Sequence, residues 1–286
     1  MDASGRHSNF TYSLQSGKWS GVSEWSAEWQ GKLLRVKFSG QKRRRPLPKK
    51  RGVIKGFTDG SRRRMLQLAA TIDWKSIGPA LFITLTYPDD KAEFDMRERN
   101  KQRYLFVRHM ENYLDATPSI IWRIEWKPRK TGSRIGEYLP HVHLLVLGVR
   151  FIPHGCVRSW WRSILKHRGS LSTDVRAVRS GKAAALYVSK YCAKRPERAS
   201  LDNLSYLNSL GRHWGIHRRS AIKTHPAISI PYLTEEMLQI ARNAGCMAIP
   251  WFDASSDAGF FLLGDLAERV GQILLKMDVD KWQRNA

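Results

Sequence analysis

The sequence is poor in cysteine and in acidic side chains, and it contains no long apolar run. Cys156, Cys192 and Cys246 are too few for a disulfide framework and too far apart for a Cys-x-x-Cys metal site. Such sparse cysteine is typical of a reducing compartment. No apolar run approaches the roughly 18 residues of a membrane span, and "MDASGRHSNF" at the start lacks the features of a signal peptide. We therefore expect a cytoplasmic protein without a membrane partner.

Negative charge is scarce relative to positive charge. The 49 Lys and Arg residues face only 25 Asp and Glu residues, which gives a formal net charge of +24. This is far more than solubility requires, so it predicts a polyanionic partner. Residues 231–286 hold eight acidic and five basic residues, so the excess of positive charge lies in residues 1–230. We expect the polyanion to contact that part of the chain.

The sequence also lacks internal repeats and the Gly-x-x-x-x-Gly-Lys-Ser/Thr pattern that cradles nucleotide phosphates. This absence excludes a built-in P-loop helicase. Any unwinding of a duplex would need another protein.

Positive charge is densest at residues 42–51, where seven of ten residues are cations. A run of this density repels itself and stays open until it meets an anion. With "SRRR" following at 61–64, the segment favours a phosphate-contacting arm without sequence specificity over a merely solvated linker. The predicted contacts are Arg43, Arg44, Arg45, Lys49, Lys50 and Arg51.

From residue 80 onward, strand patterns alternate with helix patterns. Strands are predicted at 80–87, 119–127, 138–148 and 170–178, and helices at 97–115, 153–167 and 180–195. The order β-α-β-β-α-β-α matches the split βαβ, ferredoxin-like fold with one added helix. We therefore predict an α+β protein, with an antiparallel sheet and flanking helices.

Three regions follow from these patterns. Residues 1–75 are predicted to be a basic, partly flexible N-terminal arm, and residues 76–220 the main domain. Residues 221–286, with helix patterns at 234–244 and 262–276, are predicted to be a C-terminal helical extension.

His141 and His143 lie within the third predicted strand. Because side chains alternate along a strand, both imidazoles project from one face, where they can hold one divalent ion. Glu125, on the preceding strand, shares a polar face with Arg123 and Lys127. Two histidines and a carboxylate make a three-ligand site with open positions, suited to Mg²⁺ or Mn²⁺ bound to a phosphate. Two alternatives remain: ordinary surface histidines, and an ion pair of Glu125 with Arg123 or Lys127.

The first predicted strand adds two hydroxyls. Alternation places Thr84 and Thr86 together, on the face opposite Ile83 and Leu85. Hydroxyls on the histidine-bearing face could bond a phosphate or a sugar. Threonine is also common in strands because of its β-propensity.

The segment "YVSKYCAK" at 187–194 contains Tyr-x-x-Lys twice. Residues three and four apart are neighbours on a helix, so the two tyrosines and two lysines form one stripe. A phenol needs electrostatic help to attack phosphorus at neutral pH, and nearby ammonium groups supply it. The stripe equally fits a helix whose tyrosines pack on the sheet while its lysines stay in water. Its members are Tyr187, Lys190, Tyr191 and Lys194.

Together, "FITLTYP" (82–88), "PHVHLLVLG" (140–148) and "YVSKYCAK" resemble the three motifs of HUH-superfamily rolling-circle replication initiators, in order and on the expected elements. The two-tyrosine spacing is most similar to replication proteins of small single-stranded DNA phages and some plasmids. "GRHWGIHRR" (211–219) is similar to a segment that often follows the third motif, so the resemblance covers roughly 80–217.

The resemblance implies an HUH endonuclease domain at 76–220, acting as a metal-dependent, site-specific endonuclease and nucleotidyltransferase on single-stranded or unpaired origin DNA. The metal ligands would be His141, His143 and, on a neighbouring strand, Glu125, with Mg²⁺ or Mn²⁺ as the ion. Tyr187, assisted by Lys190, would attack first and Tyr191 would alternate with it, forming a 5′-phosphotyrosine and a free 3′-hydroxyl before the ends are rejoined.

Further expectations follow from the same resemblance. Thr84, Thr86, Lys194 and the cationic arm would contact the DNA, and the cytoplasm would be that of a bacterial host whose helicase and polymerase act with the protein. The 15 residues between Glu125 and His141 form a longer, more basic loop than a tight hairpin needs. Rival functions are a transposase or relaxase of the same superfamily, a non-catalytic nucleic-acid-binding protein with a ferredoxin-like sheet, and a phosphodiesterase that uses water.

Overall fold

The computed structural model describes residues 25–39, 57–88, 96–128, 135–136, 138–169, 171–193, 212–249, 252–255 and 259–284. By its contacts the chain divides into two compact units, Lys49–Thr224 and the pair of segments Met1–Pro48 and His225–Ala286. The first unit is therefore inserted in sequence between the two segments of the second. Within the described ranges, every helix is too short or too polar to cross a membrane.

The elements are numbered along the chain. The strands are β1 (Trp25–Gln30), β2 (Leu33–Phe38), β3 (Ala80–Thr86), β4 (Ile120–Pro128), β5 (Tyr138–Leu147), β6 (Thr173–Val178), β7 (Trp214–His217), β8 (Ile228–Ile230) and β9 (Phe260–Leu263). The helices are α1 (Asp59–Thr71), α2 (Met96–Leu114), α3 (His154–Leu165), α4 (Gly181–Ala193), α5 (Glu235–Ala248) and α6 (Asp265–Arg284).

The Lys49–Thr224 unit is built on a five-stranded sheet in the order β6-β3-β5-β4-β7, in which all neighbours are antiparallel. Its first four strands have the order of a ferredoxin-like sheet, and β7 extends the sheet beyond β4. The predicted α+β class, with an antiparallel sheet and flanking helices, is confirmed. The architecture is consistent with that of HUH endonucleases.

Strand alternation divides the core of this unit between two faces. Ile83 and Leu85 of β3 pack with Phe106 of α2 and Trp161 of α3 on one face. Phe82, which precedes Ile83 in sequence, packs on the other face with residues of α1 and α4. Helices α2 and α3 thus cover one side of the sheet and helices α1 and α4 the other. The second side carries the polar residues of the candidate site.

The other unit has a four-stranded sheet in the order β8-β1-β2-β9, again with antiparallel neighbours. Its core joins residues of the sheet to α5 and α6, including the fully buried Leu34, Ile230 and Leu274. Cross-strand partners Glu28 and Arg35 form an ion pair on β1 and β2.

These units divide the chain differently from the predicted three regions. The segment assigned to a basic arm, 1–75, contains β1, β2 and α1, and the segment assigned to a helical extension, 221–286, also contains β8 and β9. The arginines at 62–64 lie on α1, which begins after Thr58, whose hydroxyl accepts a hydrogen bond from the Ser61 amide. The predicted regions differ from these units because β1 and β2 pair with β8 and β9 near the other end of the chain. Local sequence patterns do not reveal such distant pairing.

Candidate active site

The register of β3, β5 and β4 brings the predicted polar residues side by side in two rows on one face of the sheet. One row is Thr84, His143 and Arg123, and the other is Thr86, His141 and Glu125. The alternation that predicted a shared face is therefore present. The register between the strands, which alternation alone does not give, determines which residues are direct cross-strand neighbours.

His143 is buried and is held from both ends of its ring. Its Nδ1 lies 3.1 Å from the Thr84 hydroxyl, and its Nε2 lies 2.9 Å from Oε2 of Glu125. Only 4% of His143 and 8% of Glu125 is exposed, so water competes little for these contacts. With a proton on Nε2, His143 donates to Glu125 while the Thr84 hydroxyl donates to Nδ1.

His141 has the same relation to its own threonine. Its Nδ1 lies 3.1 Å from the Thr86 hydroxyl, and its ring is nearly parallel to that of His143, at 10° and with centroids 6.3 Å apart. The two rings stand side by side instead of converging on one point. Consistent with this, the part of the chain that the structure describes contains no group of three or more His, Cys, Asp or Glu side chains arranged to hold a metal ion.

The donor chemistry of His141, His143 and Glu125 nevertheless fits a divalent ion. Imidazole nitrogens and carboxylate oxygens are groups that bind divalent ions, and Nε2 of His143 and Oε2 of Glu125 lie 2.9 Å apart. These two side chains and His141 are the groups that would hold the ion. Glu125 also forms an ion pair with Lys127, with 3.1 Å between Oε2 and Nζ. This is one of the ion pairs that the alternative interpretation of Glu125 predicted.

The hydroxyls of Thr84 and Thr86 lie within hydrogen-bond distance of the Nδ1 atoms of His143 and His141. The sequence did not reveal these contacts. A threonine hydroxyl both donates and accepts hydrogen bonds. It can therefore hold an imidazole in either tautomer, including the one with hydrogen on Nδ1 and a free Nε2 lone pair for a metal. The predicted contact of these threonines with DNA stays a prediction.

Tyr187 lies over the same face of the sheet. Its ring stacks on Phe82, with centroids 4.6 Å apart, and Phe82 in turn stacks on His143 at 5.5 Å. Tyr187 is half-buried and Lys190 is exposed, an arrangement that a structural tyrosine would share. A cavity of about 20 Å³, room for about one water, is lined by residues including Arg123, His143 and Tyr187.

The position of α4 is fixed where the helix begins. A Cβ atom on Gly181 would lie 1.7 Å from the carbonyl oxygen of Trp74, so only glycine permits this approach of the two backbones. The Ser180 hydroxyl accepts a hydrogen bond from the amide of Ala183, which caps the first turn. These contacts place the helix that carries Tyr187.

Arg176 is a site residue that the sequence analysis missed. It pairs with Phe82 across β6 and β3, and its guanidinium donates a 2.7 Å hydrogen bond from Nε to Asp174. The hydrogen bond and charge of Asp174 raise the pKa of Arg176, and the nearby Tyr187 adds to the rise. Alternation in "TDVRAV" places Asp174 and Arg176 on one face, but the sequence does not show that α4 brings a tyrosine to it.

The segment "GRHWGIHRR" supplies the fifth strand of the sheet, β7, beside β4. Just before it, the carbonyl of His213 accepts a 2.7 Å hydrogen bond from the amide of Ile124. Burial lowers the pKa of His213 to about 4, and the nearby positive charge of Arg123 contributes to the lowering. Arg123 is itself buried, with its guanidinium 4.2 Å from the ring centroid of Phe57.

Several predicted site residues are beyond what the structure describes. Tyr191 belongs to α4 by its backbone, but its side chain lies outside the described part. Also outside are Lys194, Arg43, Arg44, Arg45, Lys49, Lys50 and Arg51. Their proposed roles stay predictions.

The elements from β3 to α4 also carry a family signature. Residues 80–196 match the family model of the replication-associated protein ORF2/gene 2 protein. The match to this replication-associated family begins at the first residue of β3 and includes both histidines, Glu125 and both tyrosines. It supports a replication-associated protein of the rolling-circle initiator kind, and with it DNA binding and endonuclease activity. Neither a curated protein nor a solved structure gives a significant match to the chain.

Proposed function

We propose that the protein is a rolling-circle replication initiator that nicks single-stranded or unpaired origin DNA with a tyrosine nucleophile. The observation that carries the proposal is the meeting of His141, His143, Glu125 and the half-buried Tyr187 on one sheet face, within the segment that matches the replication-associated family. The net charge of +24 supports a polyanionic substrate.

In the proposed step, the phenol oxygen of Tyr187 attacks the scissile phosphorus. A bond forms between phosphorus and the phenol oxygen, and the bond between phosphorus and the 3′-oxygen breaks. The phenol proton is lost and the 3′-oxygen gains one, so the step consumes no other reactant. The products are a 5′-phosphotyrosine and a free 3′-hydroxyl from which a host polymerase extends. Attack of a 3′-hydroxyl on the phosphotyrosine reverses the step and rejoins DNA.

The polar rows of the sheet would hold and orient the reacting phosphate. His141, His143 and Glu125 are the groups that would bind Mg²⁺ or Mn²⁺, which when bound supplies Lewis-acid polarisation of the phosphate. Thr84 and Thr86 fix the orientation of the two imidazoles through Nδ1.

Tyr191 lies one turn after Tyr187 on α4, which suits an alternating role in a second cleavage. Lys190, three residues after Tyr187, and Lys194, three residues after Tyr191, would interact with the DNA or the attacking phenols. The cations at 42–51 would bind phosphates without reading sequence. A host helicase would open the duplex, since the chain lacks a P-loop.

The experiment that tests this function uses single-stranded oligonucleotides tiled across both strands of the replicon that encodes the protein. Each is labelled at the 5′ or the 3′ end, incubated with Mn²⁺ or with EDTA, and separated on a denaturing gel. Wild type is compared with Tyr187→Phe, Tyr191→Phe and the double variant. In a 5′-phosphotyrosine the 3′ label stays with the protein, while the 5′ label leaves on a shortened strand.

We expect a 3′-labelled adduct in Mn²⁺ that EDTA and the double variant abolish. The two single variants show whether both tyrosines attack. If every oligonucleotide is bound in EDTA and none is cut or attached in Mn²⁺, the sheet is a binding surface and the proposal is wrong. Cleavage without an adduct would instead identify a phosphodiesterase that uses water.

A further inference from the structure

The edge strand β6 presents a charged pair next to the proposed nucleophile. Asp174 is the cross-strand partner of Thr84, and Arg176 is the partner of Phe82, so both project onto the face that bears His143. Phe82 is also the residue on which the Tyr187 ring stacks. The strand register and the ring stack therefore make Arg176 and Tyr187 neighbours of the same residue, Phe82.

A guanidinium is suited to this position because the phenol oxygen changes charge during the reaction. The oxygen gains negative character as its proton leaves and before its bond to phosphorus is complete, and it regains that character when the strand is rejoined. A fixed hydrogen-bond donor aimed at developing negative charge stabilises the transition state more than the ground state. Arginine stays protonated at every physiological pH, so its charge is always available.

Asp174 fixes the direction of that donor. Arginine has several N–H groups, and the 2.7 Å bond from Nε to Asp174 leaves the terminal nitrogens to reach the phenol. Without the carboxylate, the exposed guanidinium would sample many rotamers. Asp174 therefore acts as a positioning residue for Arg176.

We infer that Arg176, oriented by Asp174, is a catalytic residue that hydrogen-bonds the phenol oxygen of Tyr187 and stabilises its charge in both cleavage and rejoining. The inference rests on the proposed function of Tyr187 as nucleophile. It gives the phenol a charge partner on the sheet, in addition to the helix ammonium of Lys190 that the sequence indicates.

The exposure of the pair argues that it is not needed for folding. The side chain of Arg176 is 65% exposed and that of Asp174 is 46% exposed. Exposed ion pairs contribute little to stability. Substitutions here should therefore leave the melting temperature almost unchanged, and a kinetic effect can be assigned to the reaction.

The test measures the single-turnover rate of adduct formation at saturating DNA, together with the dissociation constant at several salt concentrations, for the most reactive tiled oligonucleotide. The variants are Arg176→Gln, Arg176→Lys and Asp174→Asn. Arg158→Gln removes one exposed positive charge from α3, on the opposite face of the sheet, and serves as the matched control. Tyr187→Phe is run beside them.

We expect Arg176→Gln to lower the rate at saturation by about tenfold or more, with no change in affinity or salt slope. Arg176→Lys should recover part of the rate, Asp174→Asn should lose less than Arg176→Gln, and Arg158→Gln should react like wild type. An unchanged rate, or a weaker affinity with a shallower salt slope at unchanged saturated rate, overturns the inference; the second result makes Arg176 a phosphate contact. A full-rate adduct in Tyr187→Phe overturns the nucleophile assignment itself.

Discussion

Hydrogen bonds from the threonines of β3 determine how the histidine rings of β5 are presented. Each hydroxyl lies 3.1 Å from the Nδ1 of its neighbouring histidine, and Nε2 of His143 lies 2.9 Å from Oε2 of Glu125. Groups that orient a metal-binding histidine in this way also tune its affinity for the ion. The two threonines therefore belong to the candidate site through the histidine rings that they hold.

The variant Thr84→Val removes one of these hydroxyls while keeping the shape of the side chain. We expect it to weaken Mn²⁺ binding by about 10- to 100-fold, because the buried ring of His143 loses the bond that fixes it. Thr84→Ser keeps a hydroxyl and should bind Mn²⁺ nearly as wild type does. Titration calorimetry in the absence of DNA measures both, and equal affinities in wild type and Thr84→Val would remove the threonine from the site.

His213 makes stability depend on pH. Its pKa is lowered from 6.5 to about 4 in the folded protein, first by burial and then by the charge of Arg123. Between pH 6.5 and about pH 4, His213 binds more protons in the unfolded chain than in the folded one. The free energy of unfolding should therefore fall as pH drops, by up to about 3 kcal/mol from this residue. Urea unfolding at pH 7.5, 6, 5 and 4.5 measures the slope. His213→Gln does not titrate, and a slope as steep as that of wild type would contradict the assignment.

At the scale of elements, the helix α4 joins the proposed nucleophile to the sheet. Its first residue, Gly181, contacts the Trp74 backbone, and Tyr187, nearly two turns later, contacts Phe82. The position of the phenol relative to His143 therefore depends on packing at the beginning of the helix. A displacement of the first turn of α4 would therefore change the position of Tyr187.

Gly181→Ala would place a methyl group against the Trp74 carbonyl. We expect a loss of stability of at least about 1 to 3 kcal/mol and slower adduct formation, because the backbone of α4 must shift. Gly155 lies in the first turn of α3, and a Cβ there meets nothing within 4 Å. Gly155→Ala should be neutral or more stable by up to about 1 kcal/mol, since alanine is the better helix former. Urea denaturation of both variants is decisive, and equal effects would contradict the packing argument.

Elements with a strong local period were predictable from the sequence, and elements that depend on distant partners were not. The four strands and three helices from β3 to α4 correspond to predicted segments, because apolar residues alternate or recur within each. The strands β1 and β2 pair with each other, but two of the three pairings in their sheet join them to β8 and β9 at the other end of the chain, and the sequence analysis missed them. Because of the cations at 62–64, the segment of α1 was predicted to be part of a basic arm. It is a helix whose buried residues Met65 and Ala69 are one turn apart.

The candidate site was predictable in part for the same reason. The period of two along a strand fixes which side chains share a face, so it put His141 and His143 on one face of β5 and put Glu125 with Arg123 on one face of β4. It does not fix the register between strands, which aligned Thr84 with His143. It also says nothing of where α4 meets the sheet, so the stacking of Tyr187 on Phe82, the cross-strand neighbour of Arg176, could not be foreseen.

For the whole molecule, charge and chain connectivity are the features with functional consequences. The excess of positive charge lies in residues 1–230, which contain the entire inserted unit. The C-terminal segment His225–Ala286, which includes the acidic residues 231–286, pairs its strands β8 and β9 with β1 and β2 near the other end of the chain. The charge and the connectivity can therefore each be tested by a deletion.

Deleting residues 42–51 removes seven positive charges. We expect weaker binding to single-stranded DNA and a shallower dependence on salt, by roughly 0.7 in the logarithmic slope for each phosphate that the protein no longer neutralises, while the cleavage position stays the same. Fluorescence anisotropy across a salt series, with mapping of the cut, measures both effects. Unchanged affinity would exclude the arm from DNA binding.

Ending the chain at residue 224 removes β8, β9, α5 and α6. The strands β1 and β2 would then form a lone hairpin, which is at best marginally stable in water. We expect trypsin to cleave within residues 25–38 of the shortened chain but not of the full chain, while the strands β3 to β7 resist in both. Protection of 25–38 in the shortened chain would contradict the division into two units.

Covalent attachment of DNA to Tyr187 can be tested by locating the nucleotide on the protein. Adduct formed in Mn²⁺ is digested with nuclease and trypsin and analysed by tandem mass spectrometry. Cleavage after Lys182, Lys190 and Lys194 separates the two tyrosines into peptides 183–190 and 191–194. We predict a nucleotide phosphate on peptide 183–190 after the first turnover. A modification found only on peptide 191–194 would contradict Tyr187 as the first nucleophile, and modification of neither peptide would contradict the mechanism as a whole.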